Sequence, residues 1–178
     1  MNSSDDDELI SERLPTMQII QGAIVSGALI FAVVAFIMRQ GGVVQGGAQP
    51  PIISYVISAL AVMSLIQWPI VTRIVVKESR KRIVAEGRSE DRPEVKGVSD
   101  TAKLLAVYQT QMIVGAAILE GATFALIIAF LVDGISWTIV GALLLSGVNA
   151  FQFPTRTRVE RWLEEQRELM EQERAGVT

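Results

Sequence analysis

The sequence predicts an all-α polytopic membrane protein: four transmembrane helices as two duplicated helical hairpins in parallel repeat, then a cytoplasmic amphipathic C-terminal helix. Three observations predict it. Half of the 178 residues are hydrophobic, and the mean hydropathy of +0.39 is high for a soluble domain. Four apolar stretches, at about 17–38, 52–72, 105–131 and 136–155, approach or exceed the ~20 helical residues that cross a hydrocarbon core. The two halves of the chain also carry matching residues at matching places.

The first span contains GAIVSGALIFAVVAFIM, with no charge. The residues before it, MNSSDDDELISER, form an acidic N-terminal segment (1–16). A cleavable signal wants a basic start, so this span is expected to be retained as an anchor. The second span ends at QWPIVTR and runs into IVVKESRKRIV (74–84), where cations alternate with apolar residues. Segment 73–104 is thus basic and amphipathic, and Lys77, Arg80, Lys81 and Arg82, with Trp162 of the tail, are candidates for an anionic membrane surface. A polar loop follows, EGRSEDRPEVKG (86–97), and Ser99 or Asp100 is placed to cap the third helix.

The third span is QTQMIVGAAILEGATFALIIAFLV (109–132), and the fourth ends at QFPTRTR (152–158). The tail VERWLEEQRELMEQER (159–174) sets Val159, Trp162, Leu163, Leu169 and Met170 on one face. Such a helix can lie on the membrane, pack on the basic extension, or form a short coiled coil.

The duplication rests on two alignments. QIIQGAIVSGALIF (18–31) matches QMIVGAAILEGATF (111–124), pairing Gln18 with Gln111, Gly22 with Gly115, Ala23 with Ala116 and Phe31 with Phe124. QWPIVTR (67–73) matches QFPTRTR (152–158), where the polar residues agree as well. A repeated two-span unit keeps its orientation, which makes the repeats parallel. Pro69 and Pro154 are expected to kink their helices near one membrane face.

Charge sets the orientation. Segment 73–103 carries nine Lys and Arg and the C-terminal tail five, whereas the two remaining turns hold only Arg39. The positive-inside rule then places both termini and the middle segment on the cytoplasmic side of the cytoplasmic (inner) membrane. Trp137 is expected at the outer interface, and Trp68 and Tyr108 at the inner one.

No Cys and no His are present. This removes thiol and His-based nucleophiles and the usual zinc sites. No cofactor motif, catalytic constellation or clustered metal-ligand set is found, so no enzyme is expected. The net charge of -3 gives no reason to expect nucleic acid as a partner.

One residue breaks the apolar pattern. Glu120 sits roughly 18 Å into its helix, near the bilayer midplane. A charged carboxylate facing lipid there costs ~2.5–3.5 kcal/mol or more, so it is expected protonated, paired or turned inward. Thr123, Ser146, Asn149 and Ser26 are the candidate polar neighbours. Ala117, Gly121, Ala125 and Ala129 recur every four residues beside it, a stripe of small side chains suited to close helix contact. Gly22 and Gly27 are the small positions of the first helix, and Gly27 aligns with Glu120.

The third span resembles the carboxylate helix of the rotary ATP synthase proteolipids, the c-type subunits. Thr110, Met112, Gly115, Ala116, Ala117 and Glu120 fall in the order of that helix, and Arg92-Pro93-Glu94 resembles the proteolipid loop. The resemblance implies that Glu120 binds a proton or cation reversibly, in an oligomer. The residues by themselves point to a helix-packing, assembly or accessory protein. Its partners are expected to be the lipid bilayer and other membrane helices, in a homo-oligomer or a membrane complex.

Overall fold

The structure is a computed structural model. It describes residues 3–43, 50–88 and 100–176, and side chains over 6–43, 50–85 and 100–176. It is all-α: α1 Ser3–Gln40, α2 Ile52–Arg88, α3 Asp100–Asp133, α4 Ser136–Phe151 and α5 Arg156–Arg174. Three helices, α1, α2 and α3, are long and apolar enough to cross a membrane. By length and composition alone, α4 and α5 meet that condition only when taken together, as a pair bent by 69°.

Several boundaries differ from those the sequence predicts. The basic extension is no separate element, because α2 runs unbroken through Pro69 to Arg88. Residues 86–88, expected in the loop, belong to α2. The remainder of the loop, with Arg92-Pro93-Glu94 and the capping position Ser99, lies outside the described residues, and Asp100 is the first residue of α3. The fourth span was expected to reach residue 155, but α4 ends at Phe151. Its 16 residues make about 24 Å, short of the ~30 Å hydrocarbon core.

The two matched proline motifs fold differently. Pro69 is followed by Ile-Val inside the continuous helix α2. Pro154 is followed by Thr155, which takes an extended backbone (φ -104, ψ 153) at the N-cap of α5 without a side-chain cap hydrogen bond. One motif therefore continues a helix and the other ends one and starts the next.

Contacts divide the chain into two compact units. The first comprises Met1–Ile19, Thr72–Met112 and Pro154–Thr178. Its buried apolar residues are Ile10 and Met17 of α1, Val76, Ile83 and Val84 of α2, Leu104, Leu105 and Met112 of α3, and Val159, Leu163 and Met170 of α5. Ion pairs surround them. Arg80 donates to Glu173 (2.7 Å) and to Gln166 (3.0 Å). Asp6 accepts from Thr101 and from Arg167, each at 2.7 Å. Arg156 reaches Asp7 and Arg174 reaches Asp100, both at 2.9 Å. Of the settings open to the tail helix, packing within this unit is the one observed.

The second unit comprises Ile20–Val71 and Ile113–Phe153. Its core joins Ala32 and Ala35 of α1, Ala61 of α2, Leu119, Leu126, Ile127 and Phe130 of α3, and Ala142 and Leu145 of α4. Alanine at most contacts from the other helices lets their backbones come close to the larger residues of α3. Trp68 packs against this core. The most apolar window of α3 is 50% buried, against 22% for α1 and 17% for α2, so α3 is the helix the others cover.

At one end of this unit three helix termini complete one another. Helix C-termini leave carbonyls unpaired and N-termini leave N–H groups unpaired. Arg39, at the end of α1, donates to the carbonyls of Phe130 (3.3 Å) and Leu131 (2.8 Å) at the end of α3 and lies 5.7 Å from the Phe130 ring centre. The first turn of α2 has no acidic residue of its own. Asp133 supplies one from α3: its carboxylate accepts from the Ser54 N–H (2.8 Å) and hydroxyl (2.7 Å). Arg39 stands at helix C-termini, where the dipole favours a cation; Asp133 closes α3, where an anion is disfavoured, but its carboxylate lies at the N-terminus of α2, where it is favoured. Gly134 turns the chain between α3 and α4 with φ +74, and a Cβ there would run into the Arg39 guanidinium.

Gly134→Ala is therefore expected to lose more than about 1 kcal/mol of stability, from the left-handed backbone and the displaced arginine. Gly22→Ala, with open space around it, is expected to be neutral or slightly stabilising. SDS-induced unfolding in mixed micelles measures both.

Candidate functional site

The second unit reverses the pattern of a water-soluble bundle. On α4 the buried face is Thr138, Ala142, Leu145, Ser146 and Asn149. Its Val140, Leu143, Leu144 and Val148 are exposed. Across the unit Gln21, Ser54 and Thr123 are also buried, while large apolar side chains cover the outside of α1 and α2. Polar groups inward and apolar groups outward is the arrangement hydrocarbon demands. Length and composition thus mark the chain as a membrane protein, and its buried polar residues are the candidate site.

Glu120 is half-buried on α3. Its carboxylate faces Gly27 of α1: a Cβ on Gly27 would stand 3.8 Å from Glu120 Oε1. A Cβ there would make an ordinary van der Waals contact with the carboxylate. One turn further along, Phe31 of α1 packs on Phe124 of α3 with ring centres 5.3 Å apart. Among the described residues Glu120 takes part in no hydrogen bond and no ion pair.

The neighbours expected for Glu120 are engaged elsewhere. Thr123 is buried and its hydroxyl donates to the Leu119 carbonyl (2.8 Å) of its own helix. Ser26 is exposed and donates to the Ala23 carbonyl (3.1 Å). Asn149 is held by Gln21. Ser146 is buried on α4. None of the four is hydrogen-bonded to the carboxylate, and Gly27 is the residue placed beside it. Among the described residues no group of His, Cys, Asp or Glu is arranged to hold a metal ion.

The small-residue stripe is split. Ala129 is fully buried and Ala125 half-buried, but Ala117 and Gly121 are exposed, with nothing within 4 Å of a Cβ at Gly121. Gly22 is half-buried on α1. Among the basic residues Lys77, Lys81 and Arg82 are exposed. Arg80 instead points at Glu173, with 12% of its side chain exposed. Trp162 stacks edge-on against Tyr108, 5.1 Å between ring centres. Trp137 packs beside Tyr55 at 6.1 Å.

Sequence reasoning missed Gln21, a fully enclosed polar side chain of the second unit. It is 0% exposed, and its Nε2 donates to both the carbonyl and Oδ1 of Asn149, each at 2.9 Å. The Asn149 carbonyl, near the C-terminus of α4, also accepts from the Gln152 N–H (3.1 Å), so Gln21 adds a second donor there and bonds the Asn149 side chain. In the first unit Gln18, one turn earlier on α1, donates to the Pro154 carbonyl (3.0 Å) beyond the same break. The signal was present: Gln21 stands opposite Val114 in the alignment, a polar residue in an apolar span with no counterpart.

Asp6 is the titrating group of the first unit whose setting is clearest. Burial pushes its carboxyl up, but the hydrogen bonds from Thr101 and Arg167 and the Arg167 charge outweigh this and hold it below the usual value.

Replacing Gln21 with Leu is expected to cost about 1–2 kcal/mol, since it leaves the Asn149 oxygens buried without that donor. Ser26→Ala is expected to stay within about 0.5 kcal/mol. The comparison is made by SDS-induced unfolding.

Comparison of the chain with protein-family models, with curated proteins and with solved structures finds no match to any of them.

Proposed function

We propose that the chain is a multi-pass protein of the cytoplasmic membrane that serves as a helix-packing and assembly component. In this reading it has four spans, two duplicated hairpins in parallel repeat, with both termini and the 73–104 segment cytoplasmic. The Lys and Arg distribution supports the orientation. Two contacts support the duplication. Gly27 faces Glu120 and Phe31 packs on Phe124, and in both the partners occupy equivalent places in the aligned segments. Equivalent residues meet in this way when two like elements pack about a two-fold axis. The fourth span is then α4 alone, accommodated by local thinning of the bilayer.

The observation that carries assembly is the bare face of α3. The central helix of the second unit leaves Ile113, Ala117, Gly121, Ile128 and Val132 exposed, one stripe at helical spacing with its smallest residues in the middle. Such a stripe accepts another helix backbone at close range. A second copy of the chain is the simplest occupant.

The second reading, proton or cation binding through Glu120 in an oligomer, is favoured by one observation. The carboxylate borders this stripe and has no hydrogen-bonding or ionic partner among the described residues. A covering helix would then enclose it and create the dry site in which a carboxylate holds a proton.

The absence of cysteine makes the test direct. Ala117→Cys and Gly121→Cys are expected to give disulfide-linked dimers when native membranes are oxidised, and Ala116→Cys, whose site is buried, is expected to give none. Equal cross-linking at all three positions, or none at any, overturns assembly through α3. If Glu120 exchanges an ion, a hydrophobic carbodiimide labels it and raised pH or added cation protects it. Absence of labelling, with unchanged behaviour of Glu120→Gln, removes the second reading.

A further inference from the structure

The exposed face of α2 in the first unit has no role in the contacts described so far. Arg73, Ile74, Lys77 and Lys81 are all exposed and fall within roughly 100° of the helix circumference. Ile66 and Ile70, earlier on the same helix and in the same sector, are exposed as well. The sector therefore changes along one helix from apolar to cationic. Glu78, bridged to Lys81 at 3.3 Å, is the one acid on this stretch. Among the described residues Arg73 and Lys77 have no hydrogen-bonding or ionic partner. The contrast with Arg80 is informative. That guanidinium turns inward to Glu173 and Gln166 and is consumed by the fold, whereas its neighbours on α2 are left outside. Besides Glu78, exposed acids of the unit include Asp7, Glu8 and Glu12 on α1 and Glu164, Glu165, Glu168 and Glu171 on α5.

We infer that Arg73, Lys77 and Lys81 form a binding face for the phosphate headgroup of an anionic phospholipid, in the leaflet where α2 leaves the hydrocarbon. The inference rests on the membrane-spanning reading above. Ile74 and the preceding isoleucines face the acyl chains, and the three cations, one turn apart, follow the helix into the headgroup layer. Cations at the end of an apolar helix attract anionic lipid, with each worth on the order of five-fold in binding. Long Lys and Arg stems keep the charge at headgroup level while their methylenes stay on apolar surface.

The test uses the full chain reconstituted in vesicles of equal parts phosphatidylglycerol and phosphatidylcholine. After mild detergent extraction, native mass spectrometry counts the lipids retained. Wild type is expected to retain phosphatidylglycerol in preference. The triple variant Arg73→Gln, Lys77→Gln, Lys81→Gln is expected to lose that preference by about ten-fold or more. Arg161→Gln, an exposed cation of α5, is expected to keep it. A triple variant that is helical by circular dichroism and keeps the wild-type ratio overturns the inference. So does a wild-type chain with no preference, and so does a triple variant that changes only the oligomeric state, which would assign the face to the acidic α5 of a second copy. Release of wild type from the vesicles by alkaline carbonate is a separate result: it removes the membrane-spanning reading itself.

Discussion

Hydrocarbon offers no hydrogen bonds, and the second unit is organised by that constraint. Every helix end and polar side chain taken away from water must be served by the chain itself. Arg39 serves the carbonyls at the end of α3, Asp133 serves the N–H and hydroxyl of Ser54, and Gln21 serves Asn149. These residues come from different helices from the groups they satisfy. The polar contacts therefore set which helix ends meet, while alanine-to-leucine packing, which is nearly indifferent between protein and lipid, sets how closely they approach. Among the described residues Glu120, beside Gly27, has no hydrogen-bonding or ionic partner, and the buried Oε1 of Gln21 likewise accepts no hydrogen bond.

The first unit answers to the opposite solvent. There apolar residues are enclosed and charges lie outside, joined in pairs that link three or four helices: Asp6 with Arg167 and Thr101, Arg80 with Glu173. Exposed pairs of this sort contribute little each, but Arg80 and Glu173 are largely covered. The α5 helix follows a sharp bend after Pro154 and is fixed in this unit by both its apolar face and its cations. What the unit does not use internally, the cationic sector of α2, is the part left for a lipid headgroup.

The helices were legible because long apolar runs and their charged flanks are strong, local signals. The basic extension was legible as a helix but not as the continuation of α2, since a proline inside the pattern argued for a kink at Pro69. The same motif runs on as helix at Pro69 and breaks into an extended Thr155 after Pro154, a difference the matching residues do not display. Glu120 was conspicuous because its cost in lipid can be read from one residue. Its neighbour Gly27 followed from the alignment as an equivalent, and contact between equivalents requires a packing symmetry that a single sequence does not display. Gln21 and Arg39 were harder. Their roles depend on which helix end lies beside them; the end of α3 was expected near 131, but that of α4 at Phe151 was not. Arg80 and Trp162 looked like surface residues because amphipathic spacing does not distinguish a membrane face from a face turned toward another helix.

The central claim is that the chain crosses the bilayer so that the α3–α4 turn and the tail helix emerge on opposite sides. Single cysteines in place of Ser136, exposed at the start of α4, and Glu168, exposed on α5, test this in sealed right-side-out membranes treated with an impermeant maleimide. The account predicts that Ser136→Cys reacts from outside and that Glu168→Cys reacts only after the membrane is opened. Labelling of both from the same side would contradict it.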